Sequence, residues 1–96
     1  MVSINEHVPA APTGLAARAD ATTAVLNWSV APGQSPADLY AVFRNGIPIG
    51  RTAGTDFTVA GLREATGYVF TVAAVDAAGR VASSAPVAVL TQTMPI

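Results

Sequence analysis

The sequence predicts an all-β fold, seven short antiparallel strands packed as a two-sheet sandwich. Three observations carry this. Short apolar runs recur about every ten residues, each bounded by Gly, Pro, Asn or Asp. Several of these runs alternate with period two, as a half-buried strand does. No window keeps a helical period through so much Val, Thr and Gly.

The elements follow in order. Pro9 and Pro12 bracket Ala10-Ala11, so residues 1–11 read as a linker entering a domain. Leu15–Ala19 is a weak first strand. In Thr23–Ser29, Ala24, Leu26 and Trp28 share one face and Val25, Asn27 and Ser29 the other. Pro32-Gly33-Gln34-Ser35-Pro36 forms a loop. Leu39–Arg44 puts Tyr40 and Val42 on one face and Phe43 on the other. Asn45-Gly46 is then the strongest short hairpin signal, because a type I′ turn needs positive φ twice. Ile47–Arg51 returns, and Pro48 confines it to a sheet edge because proline cannot donate to a ladder. Thr55–Val59 is short. Tyr68–Asp76 is the longest alternating run, Asp76–Arg80 reads as a simple turn, and Val87–Thr93 closes the set.

Composition removes several function classes. The 96 residues are one domain's worth, 51% hydrophobic and 11% charged, against about a quarter charged in an average domain. Five arginines, no lysine and a net charge of −1 cannot build a basic patch. Phosphate-driven nucleic-acid binding and polybasic membrane contact are therefore not expected. With no cysteine, there is no disulfide framework, thiolate metal site or thiol nucleophile. Residues 1–7 show neither the basic start nor the apolar run of a signal peptide. No run approaches the ~20 apolar residues of a membrane span.

One pattern is more specific. Leu62 precedes Tyr68 by six residues, with Gly61 and Gly67 flanking the segment. In antiparallel sandwiches a tyrosine at the start of the sixth strand sends its hydroxyl back to the backbone just upstream. Leu62 and Tyr68 suit that corner, and Trp28 suits a core anchor on the second strand. Further features are Pro12 before the first strand, Tyr40-x-Val42 on the third, and Phe70-x-Val72-x-Ala74 after Tyr68. Ser83-Ser84-Ala85-Pro86 precedes the last strand. In this order and spacing, residues 12–93 resemble a fibronectin type III module, most closely the bacterial ones. The resemblance implies an immunoglobulin-like, seven-stranded antiparallel sandwich, with 94–96 a remnant of the next linker. It implies a non-catalytic spacer or accessory domain in a larger polysaccharide- or polymer-degrading bacterial enzyme, secreted or at the cell surface. Its partners would be neighbouring domains, with no cofactor, and the isolated module a monomer. The alternative is an adhesion module that binds protein or polysaccharide surfaces. The tripeptide Arg-Gly-Asp is absent, so nothing points to the integrin-binding loop of animal fibronectin.

Other chemistry finds no support. His7, the only histidine, lies in the expected linker, without the second His, Cys or clustered carboxylates that a metal site needs. Asp20, Asp38, Asp56, Glu64 and Asp76 all fall in or beside predicted turns, where carboxylates bond nearby backbone N–H groups. No glycine spacing resembles a phosphate loop.

The alternation does leave one candidate surface. If Tyr68, Phe70, Val72 and Ala74 point inward, then Val69, Thr71, Ala73 and Val75 point outward, and Phe43 joins them from the neighbouring strand. Phe43, Val69, Thr71 and Ala73 are the expected partner-contact face. The expected core comprises Leu15, Leu26, Trp28, Tyr40, Val42, Leu62, Tyr68, Phe70, Val72 and Ala74, with Phe57 and Val89 less firmly placed.

Overall fold

A computed structural model describes residues 9–34 and 37–94. His7 and most of the expected entry linker lie outside that range, as do residues 95 and 96. The described residues form β1 (Thr13–Ala19), β2 (Ala24–Ser29), β3 (Leu39–Arg44), β4 (Ile47–Thr52), β5 (Asp56–Val59), β6 (Gly67–Val75), β7 (Val81–Ser83) and β8 (Val87–Leu90). One sheet runs β1-β2-β5. The other runs β4-β3-β6-β7, with β8 also paired to β6, and every pairing is antiparallel.

Alternation places the core between the sheets. Ala24, Leu26 and Trp28 of β2 face Tyr40, Val42, Phe70, Val72 and Ala74, joined by Val59 and Leu62. The edge of one ring meets the face of the other where Trp28 and Tyr40 pack, centroids 5.5 Å apart and planes at 62°. The Trp28 indole N–H is buried without a hydrogen-bond partner among the described residues. Leaving such a donor unpaired costs about 1–3 kcal/mol, which burial of the large ring offsets. Leu15, Phe57, Tyr68 and Val89, all expected in the core, are half-buried and pack against it.

Three features lie beyond the alternation pattern of the sequence. First, the seventh strand is broken in two. Val87–Thr93 was expected to be its whole extent, yet Val81–Ser83 pairs with β6 as well. The break falls at Ser84-Ala85-Pro86, where proline removes a donor. Buried Ser84 repairs the ladder: its N–H donates to the Val72 carbonyl at 2.7 Å and its Oγ accepts from the Val72 N–H at 3.1 Å. Second, the β3–β4 register shifts between Val42, opposite Gly50, and Phe43, opposite Pro48, leaving Ile49 as the extra residue of a bulge. Third, Gly50 is a packing position. A Cβ there would lie 2.5 Å from Cζ of Phe57, which reaches across from the other sheet.

Candidate interaction surface

The outer face of the larger sheet is built by strand pairing. Phe43 lies opposite Thr71, Ala41 opposite Ala73, and Leu39 opposite Val75. Val81 pairs with Val75, and Gly67 with Leu90. Directly opposed residues point the same way, so Leu39, Val69, Val81 and Leu90 all face outward. Each is exposed, at 36%, 43%, 59% and 69%. A shallow groove of about 570 Å³ runs over this face between Leu39, Phe43, Pro48, Arg51, Val75 and Val81. Arg51 is its sole charge among the described residues.

The expected contact residues divide on this surface. Val69 is exposed, and Phe43 and Thr71 are half-buried. Ala73 is only 2% exposed and offers no surface. It sits mid-sheet between Ala41 on one side and Ser83 on the other, and a lone methyl there lies beneath its neighbours. Leu39 and Val81, which the alternation of β6 alone could not reveal, take its place. Their signal needed the β3–β6 and β6–β7 registers.

The two poles of the sandwich differ in how the chain is held. Thr13 pairs with Ser29, and Ala19 with Ala24, so β1 runs from the entry pole to the opposite end. The exit is tied to that opposite end. Gln92 donates from its N–H to the Asp20 carbonyl and from Nε2 to the Ala19 carbonyl, both at 3.0 Å. Thr91, 2% exposed, accepts the Thr66 N–H on Oγ1 at 2.8 Å and donates its hydroxyl to the Arg63 carbonyl at 2.6 Å. Met94, within the expected outgoing linker, donates its N–H to Glu64 Oε1 at 3.0 Å. The Tyr68 hydroxyl accepts the Arg63 N–H at 2.8 Å in this same corner. Leu62 is 4% exposed beneath it, and the Arg44 guanidinium lies 6.0 Å from the Tyr68 ring centroid.

Turn carboxylates serve the backbone. Asp76 accepts from the N–H groups of Ala78 and Arg80 through Oδ1, at 3.0 and 2.9 Å, and from Arg80 Nε through Oδ2 at 2.9 Å. Partial desolvation pushes its pKa up. The Arg80 and Ala78 hydrogen bonds and the Arg80 charge outweigh that and leave it lowered. Among the described residues no three His, Asp or Glu side chains gather as metal ligands.

Two packed antiparallel sheets and a tyrosine corner, with β1 starting at one pole and the last strand leaving at the other, define an immunoglobulin-like structural module. Residues 10–90 match the fibronectin type III domain family, and the chain belongs to that family. It is 41% identical over 86 residues to exoglucanase B of Cellulomonas fimi, covering 88% of this chain and 8% of that protein. It is also 41% identical over 85 residues to a poly(3-hydroxybutyrate) depolymerase of Ralstonia pickettii, covering 86% of this chain and 17% of that enzyme. Among solved structures, a family 28 exopolygalacturonase of Yersinia enterocolitica superposes with a TM-score of 0.81 at 24% identity, covering 90% of this chain and 21% of that one. The chain thus spans under a fifth of the length of either curated relative. It corresponds to a non-catalytic module of such enzymes, whose catalytic parts lie in other domains.

Proposed function

We propose that this chain is a spacer or accessory module of a larger, secreted bacterial enzyme that degrades a polysaccharide or polyester. One observation carries the reading: entry and exit lie at opposite poles, and the exit is pinned by Thr91 and Gln92. The seven residues of β1 set those poles roughly 20 Å apart at about 3.3 Å per residue. A neighbour beyond the pinned exit is then set at a fixed distance and direction from the entry pole, which a flexible linker does not do. The relatives supply the context, since their names are those of exoglucanase and polyester depolymerase. The test replaces the module in its enzyme with a Gly/Ser linker of equal reach. Activity on soluble oligomers should hold while activity on insoluble polymer falls. Unchanged activity on the insoluble form sinks the proposal.

A second reading is favoured by the outer face with Phe43, Val69 and Thr71. Four strands at ~4.8 Å spacing and about 20 Å long give roughly 400 Å². That is half of the ~800 Å² per partner that a stable complex buries. So small a face suits a tethered occupant, a neighbouring domain held at high effective concentration, over a second copy of the chain. Amide shifts in the isolated module on addition of the neighbouring domain, or of polymer fragments, test it. Silence at Phe43, Val69 and Thr71 with each leaves only the spacer role.

A further inference from the structure

The β3–β4 turn is used twice. Asn45 and Gly46 both take positive φ, 50° and 83°, as a type I′ turn requires. Arg44 pairs with Phe70, so Val69 is the next rung of that ladder. Here the hairpin has begun to turn, and Asn45 completes the rung in a different way. Its backbone N–H donates to the Val69 carbonyl at 2.7 Å. Its side-chain Oδ1 accepts the Val69 N–H at 2.8 Å, replacing the backbone carbonyl that a continuing strand would offer.

The same dipeptide carries its own reactivity. In an Asn-Gly sequence the glycine nitrogen loses its proton to base and attacks the asparagine Cγ. A C–N bond forms, the side-chain nitrogen leaves as ammonia, and a five-membered succinimide results. Water then opens the ring to aspartate or isoaspartate, with no oxidant or cofactor involved. Glycine favours the attack because no Cβ shields its nitrogen. The step needs Cγ to swing onto the Gly46 nitrogen, which the bond from Val69 to Oδ1 opposes.

We propose that Asn45 and Gly46 form a latent deamidation site that the Val69 clamp holds shut. The site reacts when the β3–β4 hairpin parts from β6. An isoaspartate product adds a methylene to the main chain inside a two-residue turn, so the hairpin cannot close again in register. The module then carries a record of its own opening, independent of any role as spacer.

The test incubates the whole chain at mildly alkaline pH, folded and in concentrated urea. Mass spectrometry of the peptide containing Asn45 follows conversion of amide to acid, and an isoaspartate-specific methyl transfer distinguishes the products. The folded chain should react at least about tenfold more slowly, since local opening is a minor population. Hydrogen exchange at the Val69 amide, measured on the same folded sample, should show matching protection. Gly46→Ala should suppress the reaction in urea. Equal rates folded and unfolded overturn the proposal, as does reaction faster than Val69 opens, or no reaction in either state.

Discussion

The Tyr68 hydroxyl shows how one atom shapes a corner. It accepts a single hydrogen bond, from the exposed N–H of Arg63. Tyr68→Phe frees a donor that water can reach, so the loss should be about 0.5–1.5 kcal/mol, the net worth of an ordinary hydrogen bond. Denaturant midpoints of variant and parent check this, and an unchanged midpoint means that the bond contributes nothing. Asp76 makes a pH prediction. Its folded pKa is lowered, so the stability it contributes is full above the unfolded value near 3.8 and is lost as pH falls through the lower folded value. Thermal midpoints of the parent should therefore drop more steeply with acid than those of Asp76→Asn. Parallel curves down through that range would remove Asp76 from the account. The carboxylate's place in a turn was legible in Asp76-Ala-Ala-Gly79, because Asp followed by Gly is turn chemistry. Its third partner, the Arg80 side chain, was not.

At the scale of elements, the strands show where alternation suffices and where it fails. β2 reads directly as buried Ala24, Leu26 and Trp28 against exposed Val25, Asn27 and Ser29, because a period of two survives whatever the partner is. β4 and the last strand do not read directly. The bulge at Ile49 and the break at Ser84 arise from proline, whose missing donor must be accommodated by a partner strand that the local sequence does not name. Nothing in the local sequence marks Gly50 as special within β4. Only the approach of β5 makes it a site where Phe57 lies against backbone. Gly50→Ala should destabilise by about 1–3 kcal/mol, the usual range for overpacking. Adding Phe57→Leu should recover part of that loss in a double-mutant cycle. Strict additivity of the two changes would show that the contact is absent.

For the whole molecule, the exit corner decides what the module can do for its neighbours. Thr91 ties the last residues to Arg63 and Thr66 through one buried hydroxyl. Thr91→Val keeps the shape and leaves the Thr66 N–H and Arg63 carbonyl short of a partner. It should cost about 1–3 kcal/mol and raise hydrogen exchange at Thr66 and Gln92 above that of the core strands. Uniform exchange across the chain would show that Thr91 pins nothing. The outer face makes the last prediction. A face of roughly 400 Å² is too small to hold two copies together, so sedimentation should find a monomer at millimolar concentration, and a dimer there would overturn the tethered-partner argument.

By itself the sequence determined the all-β class, six of the seven expected strands to within two residues at each end, the Asn45-Gly46 hairpin, the edge role of β4 and the inward set of β2, β3 and β6. These follow from local rules: side-chain alternation, the φ demands of turn residues and the donor that proline lacks. The tertiary structure decided the rest. Ala73 is buried, Leu39 and Val81 are exposed beside it, Gly50 meets Phe57, and Val69 is clamped by Asn45. Each depends on register between strands distant in the sequence, and register is set by packing across the sandwich, which no single segment encodes.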